Sequence, residues 1–224
     1  MRKLFNYFKR LDRSWLITWA FIYVSFMGLA AILPDFFGVT VLRYTGIVLT
    51  LIFAMQKFSK DHLLHIALFF TLLADTILVV DSVSILGVLV FCIAQFFHIS
   101  RFAGTQPIHL TLYILILASF ITYGAIEGID YIYLAGFVYA LSLGANIVFA
   151  YTWHKNAKSA FSLCAFAGFI LFAFCDICVA TSYLSHIEFL PAFLYPIANY
   201  FAWAFYYPSQ ILISNSSGLA KSNR

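Results

Sequence analysis

Long apolar runs alternate with short polar connections along almost the whole chain. Eight runs can be drawn: Trp15–Leu33, Val39–Lys57, Leu63–Val80, Ile85–Phe102, Ile108–Ala125, Tyr131–Trp153, Ser159–Ser182 and Phe189–Ile213. Each is near the roughly 17–25 residues that a helix needs to cross a bilayer. Backbone groups in hydrocarbon must be paired within their own segment, so helices follow. The runs are apolar on all sides and lack the alternation of a β-barrel. The pattern therefore predicts an all-α polytopic membrane protein, a bundle of eight transmembrane helices over 15–213. A basic segment, 1–14, precedes it, and a polar tail, 214–224, follows and is expected to be mobile. Gly28–Ala31 has the small residues of a signal-cleavage site, but the run before it is longer than the usual ~7–15-residue signal core. It is read as a span.

Composition strengthens this reading. The 224 residues are 63% hydrophobic and 10% charged, with a mean hydropathy of +0.94. A soluble domain averages about half apolar and about a quarter charged, so this chain cannot cover a water-facing surface. Charge then sets the orientation. With the N-terminus inside, the inner segments collect Arg2, Lys3, Lys9, Arg10, Arg13, Lys57, Lys60, Arg101, Lys155, Lys158, Lys221 and Arg224. Of the 13 basic residues only Arg43 falls at an outer end. Asp35, Asp81, Glu127, Asp130 and Glu188 fall outside. This Lys/Arg asymmetry predicts both termini in the cytoplasm, in a plasma or bacterial inner membrane. A pI of 8.8 needs no nucleic-acid partner, because the basic residues are spread over the cytoplasmic edges.

Two aspartates interrupt this greasy pattern, Asp75 in FFTLLADTILVV and Asp176 in ILFAFCDICVA. An ionised side chain in hydrocarbon costs at least ~2.5–3.5 kcal/mol on insertion scales, so two retained acids mark a working centre. By helical rise Asp75 lies about 9 Å below the outer edge and Asp176 about 15 Å below it. Polar stripes accompany them: Phe91, Gln95 and His98; Tyr139, Ser142 and Asn146; Tyr195, Asn199, Tyr206 and Gln210. These stripes are expected to line one wet cavity, with interhelical hydrogen bonding the plainer alternative. Ala165, Gly168, Ala173 and Ala180 share the Asp176 face and permit close helix approach. Cys175 and Cys178 form C-x-x-C around Asp176, read as packing rather than redox chemistry. No H-E-x-x-H, Walker loop, G-x-G-x-x-G or G-x-S-x-G occurs, and no metal or organic cofactor is expected.

Read in order, the marked positions resemble the lysoplasmalogenase family of multi-pass membrane hydrolases, also called YhhN-like. They are Lys57-Phe58; Ala74-Asp75 with Leu78; Gly87, Phe91, Ala94-Gln95 and His98; Cys175-Asp176; and Tyr206 with Gln210-Ile211-Leu212-Ile213. The likeness spans Lys57 to Ile213. Where the family has histidine this chain has Gln95, where it has tyrosine this chain has His98, and its Lys-Pro pair is Lys57-Phe58. The resemblance implies Asp75 and Asp176 as the catalytic pair. It makes Lys57, Gln95, His98, Asn146, Asn199, Tyr206 and Gln210 candidates for contacts to the substrate or to water.

The resemblance implies hydrolysis of the vinyl-ether bond of a lysoplasmalogen, a lysophospholipid drawn from the membrane lipids, to a fatty aldehyde and a glycerophospho-head-group. That reaction asks for one protonated acid and one negative charge, a division that two close carboxyls in low dielectric can make. Two other functions use membrane aspartates: a proton-coupled transporter and an intramembrane aspartyl protease. The proteases carry G-x-G-D where this chain has Leu72-Leu73-Ala74-Asp75.

Overall fold

Every apolar run folds as a helix. The structure, a computed structural model, describes residues 13–33, 36–58, 60–81, 84–103, 107–128 and 130–217. Arg2, Lys3, Lys9, Arg10, Asp35, Lys221 and Arg224, on which part of the orientation argument rests, lie outside the described residues. Among the described residues there are eight helices and no strand: α1 (Arg13–Ile32), α2 (Phe37–Lys57), α3 (His62–Val80), α4 (Ile85–Ala103), α5 (Pro107–Glu127), α6 (Tyr131–Ala157), α7 (Ala160–His186) and α8 (Leu194–Ser214).

Local chemistry sets the helix ends. Asp61 caps α3 by accepting from the Leu64 N–H. Ser159 and Ser162 form a reciprocal capping box at the start of α7, satisfying two orphan donors of its first turn. Lys158, Glu188 and Gly128 take up the left-handed backbone in the connections. The expected start of the last helix at Phe189 is corrected to Leu194. Pro191 biases the residue before it away from the helical region, and Glu188 at φ 61° has already broken the run.

Six helices, α1, α2, α3, α4, α6 and α7, are long and apolar enough to cross a membrane, consistent with an integral membrane protein. The other two predicted crossings, α5 and α8, are not among them. In α8 the tyrosines, two prolines, Asn199 and Gln210 dilute the apolar run. The outward faces are apolar as lipid contact requires: Ile17, Phe21 and Val24 on α1, Val148 on α6 and Ile177 on α7 are all exposed. Patches of that kind would be a liability in water.

The chain divides into two compact units. One comprises residues up to Phe53 together with Lys158–Ser216, and the other Ala54–Ala157 with the chain from Ser217 onward; the boundary falls inside α2. In the first unit α7 packs along α8 at Gly168, where a Cβ would lie 2.8 Å from Ile213 Cγ1 and 3.1 Å from the Ile213 backbone nitrogen. Tyr207 is the hub of this unit. Its ring stacks on Tyr23, meets Phe26 edge-on and fills the space a side chain at Gly46 would need. The Tyr23 hydroxyl donates to the Ala204 carbonyl at 3.1 Å. In the second unit α4 is the centre. It packs on α3 through stacked Phe70 and Phe97 and on α6 through Phe91 and Tyr139. Small residues at such crossings let the backbones approach.

Gly168→Ala is expected to lower the thermal unfolding midpoint in detergent, because the Ile213 backbone cannot move aside. Gly144→Ala, with nothing within 4 Å of its added Cβ, is expected to leave the midpoint unchanged or raise it by removing a helix-interior glycine.

Candidate active site

The α3 face that turns inward is a stripe of Leu64, Ala67, Leu68, Thr71 and Ala74, and Asp75 lies on its last turn. Asp75 is 8% exposed. Thr71, one turn earlier, donates its hydroxyl to the Ala67 carbonyl at 3.0 Å, so its polar atom is accommodated within its own helix. Val79 and Val80, beyond the acid, are exposed.

On α4 the residues Gln95, His98 and Arg101 follow at steps of three and are all enclosed. The side chains of Gln95 and of Asn146 on α6 have no solvent exposure. The Asn146 Nδ2 donates to Gln95 Oε1 at 2.7 Å and to the Gln95 carbonyl at 3.0 Å. Both acceptors meet the same nitrogen, which fixes the orientation of the Asn146 amide. One donor, Gln95 Nε2, and one acceptor, Asn146 Oδ1, are left without a hydrogen-bond partner. Ser142, on the expected polar stripe of α6, instead donates to the Val138 carbonyl at 2.7 Å.

Asp176 occupies the equivalent place in the other unit. The inward stripe of α7 runs through Ala165, Gly168, Phe169 and Phe172, and Asp176 follows one turn later, half-buried. Of the small residues expected on this face, Ala165 and Gly168 are buried, Ala173 is half-buried and Ala180 is exposed. On α8, Tyr206 and Gln210 are buried, with the Tyr206 ring against Phe172 and Trp203. The Gln210 Nε2 has no hydrogen-bond partner. Asn199 and Tyr195, on the expected polar stripe, are exposed. Lys57 is exposed in the last turn of α2, where a cation complements the helix dipole. An apolar groove between α7 and α8, lined by Cys178, Thr181, Ile197, Ala198 and Phe201, opens about 200° around α7 from Asp176 at 100° per residue. It is not the acid's pocket.

A third polar centre was not foreseen. Arg101, assigned from sequence to a cytoplasmic edge, is buried, and its Nε donates to Asp61 Oδ2 at 3.0 Å. Ser217 donates to the same oxygen at 2.8 Å, and the Leu64 N–H to Asp61 Oδ1 at 3.2 Å. Ser214 to Ser217, at the start of the expected tail, are buried; residues 218–224 lie outside the described residues. Burial drives the Asp61 carboxyl upward, but Arg101, Ser217 and the Leu64 N–H together outweigh it and hold it below the ordinary carboxylate range. The signal in the sequence was an aspartate directly before a helical run, the usual cap position. The pairing with a residue 40 positions away had none.

The four cysteines are all thiols rather than disulfides. Among the described residues no group of three or more His, Cys, Asp or Glu could hold a metal ion. His62 and His65 meet edge-on, and His65 Nε2 lies 3.2 Å from the Ala54 carbonyl.

A depressed folded-state value means that Asp61 stabilises the fold above the unfolded carboxylate value of about 3.9, and that this contribution is lost as pH falls through the folded value. Unfolding midpoints measured against pH should therefore fall on the acid side in the native protein, and fall less steeply in Asp61→Asn. Arg101→Met alone should cost about 3–5 kcal/mol by stranding a buried charge. Asp61→Leu combined with Arg101→Met should recover part of that loss.

Compared with known proteins, the family model described as the YhhN family matches residues 13–217. No curated protein matches the chain, and no solved structure does.

Proposed function

Because the chain belongs to the YhhN family, we propose that it is a membrane-embedded hydrolase that opens the vinyl-ether bond of lysoplasmalogens, with Asp75 and Asp176 acting as one acid–base pair. The observation that carries this reading is the position of Asp75: a carboxyl closing the buried stripe of a membrane-length helix. Asp176, half-buried, follows the inward stripe of α7 one turn after Phe172. An acid retained at such a position supports a functional role, because its burial in hydrocarbon is costly.

The reaction needs little else. One carboxylic acid gives its proton to the β-carbon of the enol ether, and the double-bond electrons form the new C–H bond. The oxocarbenium ion left behind is stabilised by the partner carboxylate. Water adds to the cationic carbon and loses a proton to a carboxylate. The resulting hemiacetal collapses as its C–O bond to glycerol breaks, the glycerol oxygen taking a proton and the hydroxyl giving one up. The products are a fatty aldehyde and a glycerophospho-head-group, one water is consumed, and the acids return to their starting states. Polar groups elsewhere in each unit are candidates for substrate or water contacts: Gln95 Nε2 and Asn146 Oδ1 in one, and Gln210 Nε2 in the other, are buried atoms with hydrogen-bonding capacity unspent. Gln95 cannot exchange protons, so it serves here as an orienting residue.

Among the described residues, α3 and α7 run unbroken through both aspartates. Carriers that bind ions or solutes at the membrane centre typically do so on interrupted helices, which favours the hydrolase over the transporter.

Aldehyde release from a lysoplasmalogen by the purified protein tests the reading. Asp75→Asn and Asp176→Asn are each expected to reduce turnover by about 10²-fold or more, the usual contribution of a positioned acid. Full turnover in both variants, or none in the native protein, would contradict it.

A further inference from the structure

Arg43 is the one charged residue inside α2 apart from Lys57 at its end. Its guanidinium sits 4.7 Å from the Trp203 ring centroid. Its Nε is buried with no hydrogen-bond partner. A cation within a membrane-length helix is as demanding as the two acids are, and Trp203 offers it a π face without neutralising it. Arg101 shows how this chain treats a structural arginine, by enclosing it against a carboxylate. Arg43 is held in place with its charge unspent.

Its level in the fold gives that charge a purpose. Phe172 meets Tyr206, Phe174 meets Phe205 and His186 meets Tyr195, so α7 and α8 are antiparallel and Asp176 falls opposite the stretch from Ala202 to Phe205. Arg43 lies over Trp203, inside that same stretch. A line of ring contacts, Trp203 to Tyr206 at 5.6 Å and Tyr206 to Phe172 at 5.5 Å, leads from the guanidinium to the turn before the acid. Cation and acid thus stand at about one level of the same compact unit.

We infer that Arg43, backed by Trp203, binds the phosphate of a single-chain phospholipid whose glycerol end is presented to Asp176. The planar guanidinium fork matches two phosphate oxygens as no other side chain does. In a lysophospholipid only the three-carbon glycerol separates the phosphate from the bond at the first carbon, so an anion site at the level of the acid suits that class of molecule. The inference rests on the lysophospholipid reading for its ligand. It concerns recognition and not bond cleavage.

The test is therefore a binding measurement. In a neutral, phosphate-free detergent, affinities of the native protein, Arg43→Gln and Arg43→Lys are measured for lysophosphatidylcholine, for the monoacylglycerol of the same chain, and for chain-less glycerophosphocholine. The native protein should prefer the lysophospholipid to the monoacylglycerol by about tenfold or more, as a charge-assisted contact gives. Arg43→Gln should abolish that preference while leaving monoacylglycerol affinity unchanged, which also reports that the variant is folded. Arg43→Lys should keep part of it, since a point charge replaces the fork. A preference that survives in Arg43→Gln, or that is absent from the native protein, would overturn the inference. So would glycerophosphocholine binding as tightly as the lysophospholipid, which would make this a site for free phosphate esters. Aldehyde release is not among the readouts, so failure of the hydrolase reading and failure of this one are separately visible.

Discussion

A polar or charged group inside an apolar helix has to be satisfied, and every centre in this protein is a different answer to that demand. Asp61 and Arg101 neutralise each other, with Ser217 and the Leu64 N–H completing the carboxylate's shell. Gln95 and Asn146 satisfy each other in part. Thr71 and Ser142 return their hydroxyls to their own helices. In low dielectric each of these choices counts for more than it would in water.

The helices were legible in the sequence because membrane length and all-round hydrophobicity are one-dimensional signals. The buried faces were partly legible, since a helix repeats every 3.6 residues. Asp75, Gln95, His98, Asn146, Tyr206 and Gln210 all turn inward as their spacing suggested. Asn199 shares the Tyr206 stripe and still lies exposed, because periodicity gives direction around the axis and says nothing about where along the axis the neighbours stop. The burial of Arg101 was not legible. A positive charge near a helix end reads as a cytoplasmic edge, and nothing one-dimensional signals the approach of Asp61 and Ser217 to it.

Each compact unit carries one aspartate on the first helix of a tightly packed antiparallel pair, Asp75 on α3 with α4 and Asp176 on α7 with α8. The surroundings differ. The Asp75 unit adds a buried amide pair with a histidine one turn along α4, and the Asp176 unit adds aromatic rings and Arg43. In the proposed reading one set orients water or a hydroxyl, and the other takes a lipid's phosphate and chain.

Cooperation between the two acids is the central claim, and non-additivity tests it most directly. Turnover is compared among the native protein, each single aspartate-to-asparagine variant, and the variant carrying both. Groups that act as a unit lose their function together, so the double variant should be no slower than the slower single one. Losses that multiply, each acid contributing its own factor regardless of the other, would contradict the account.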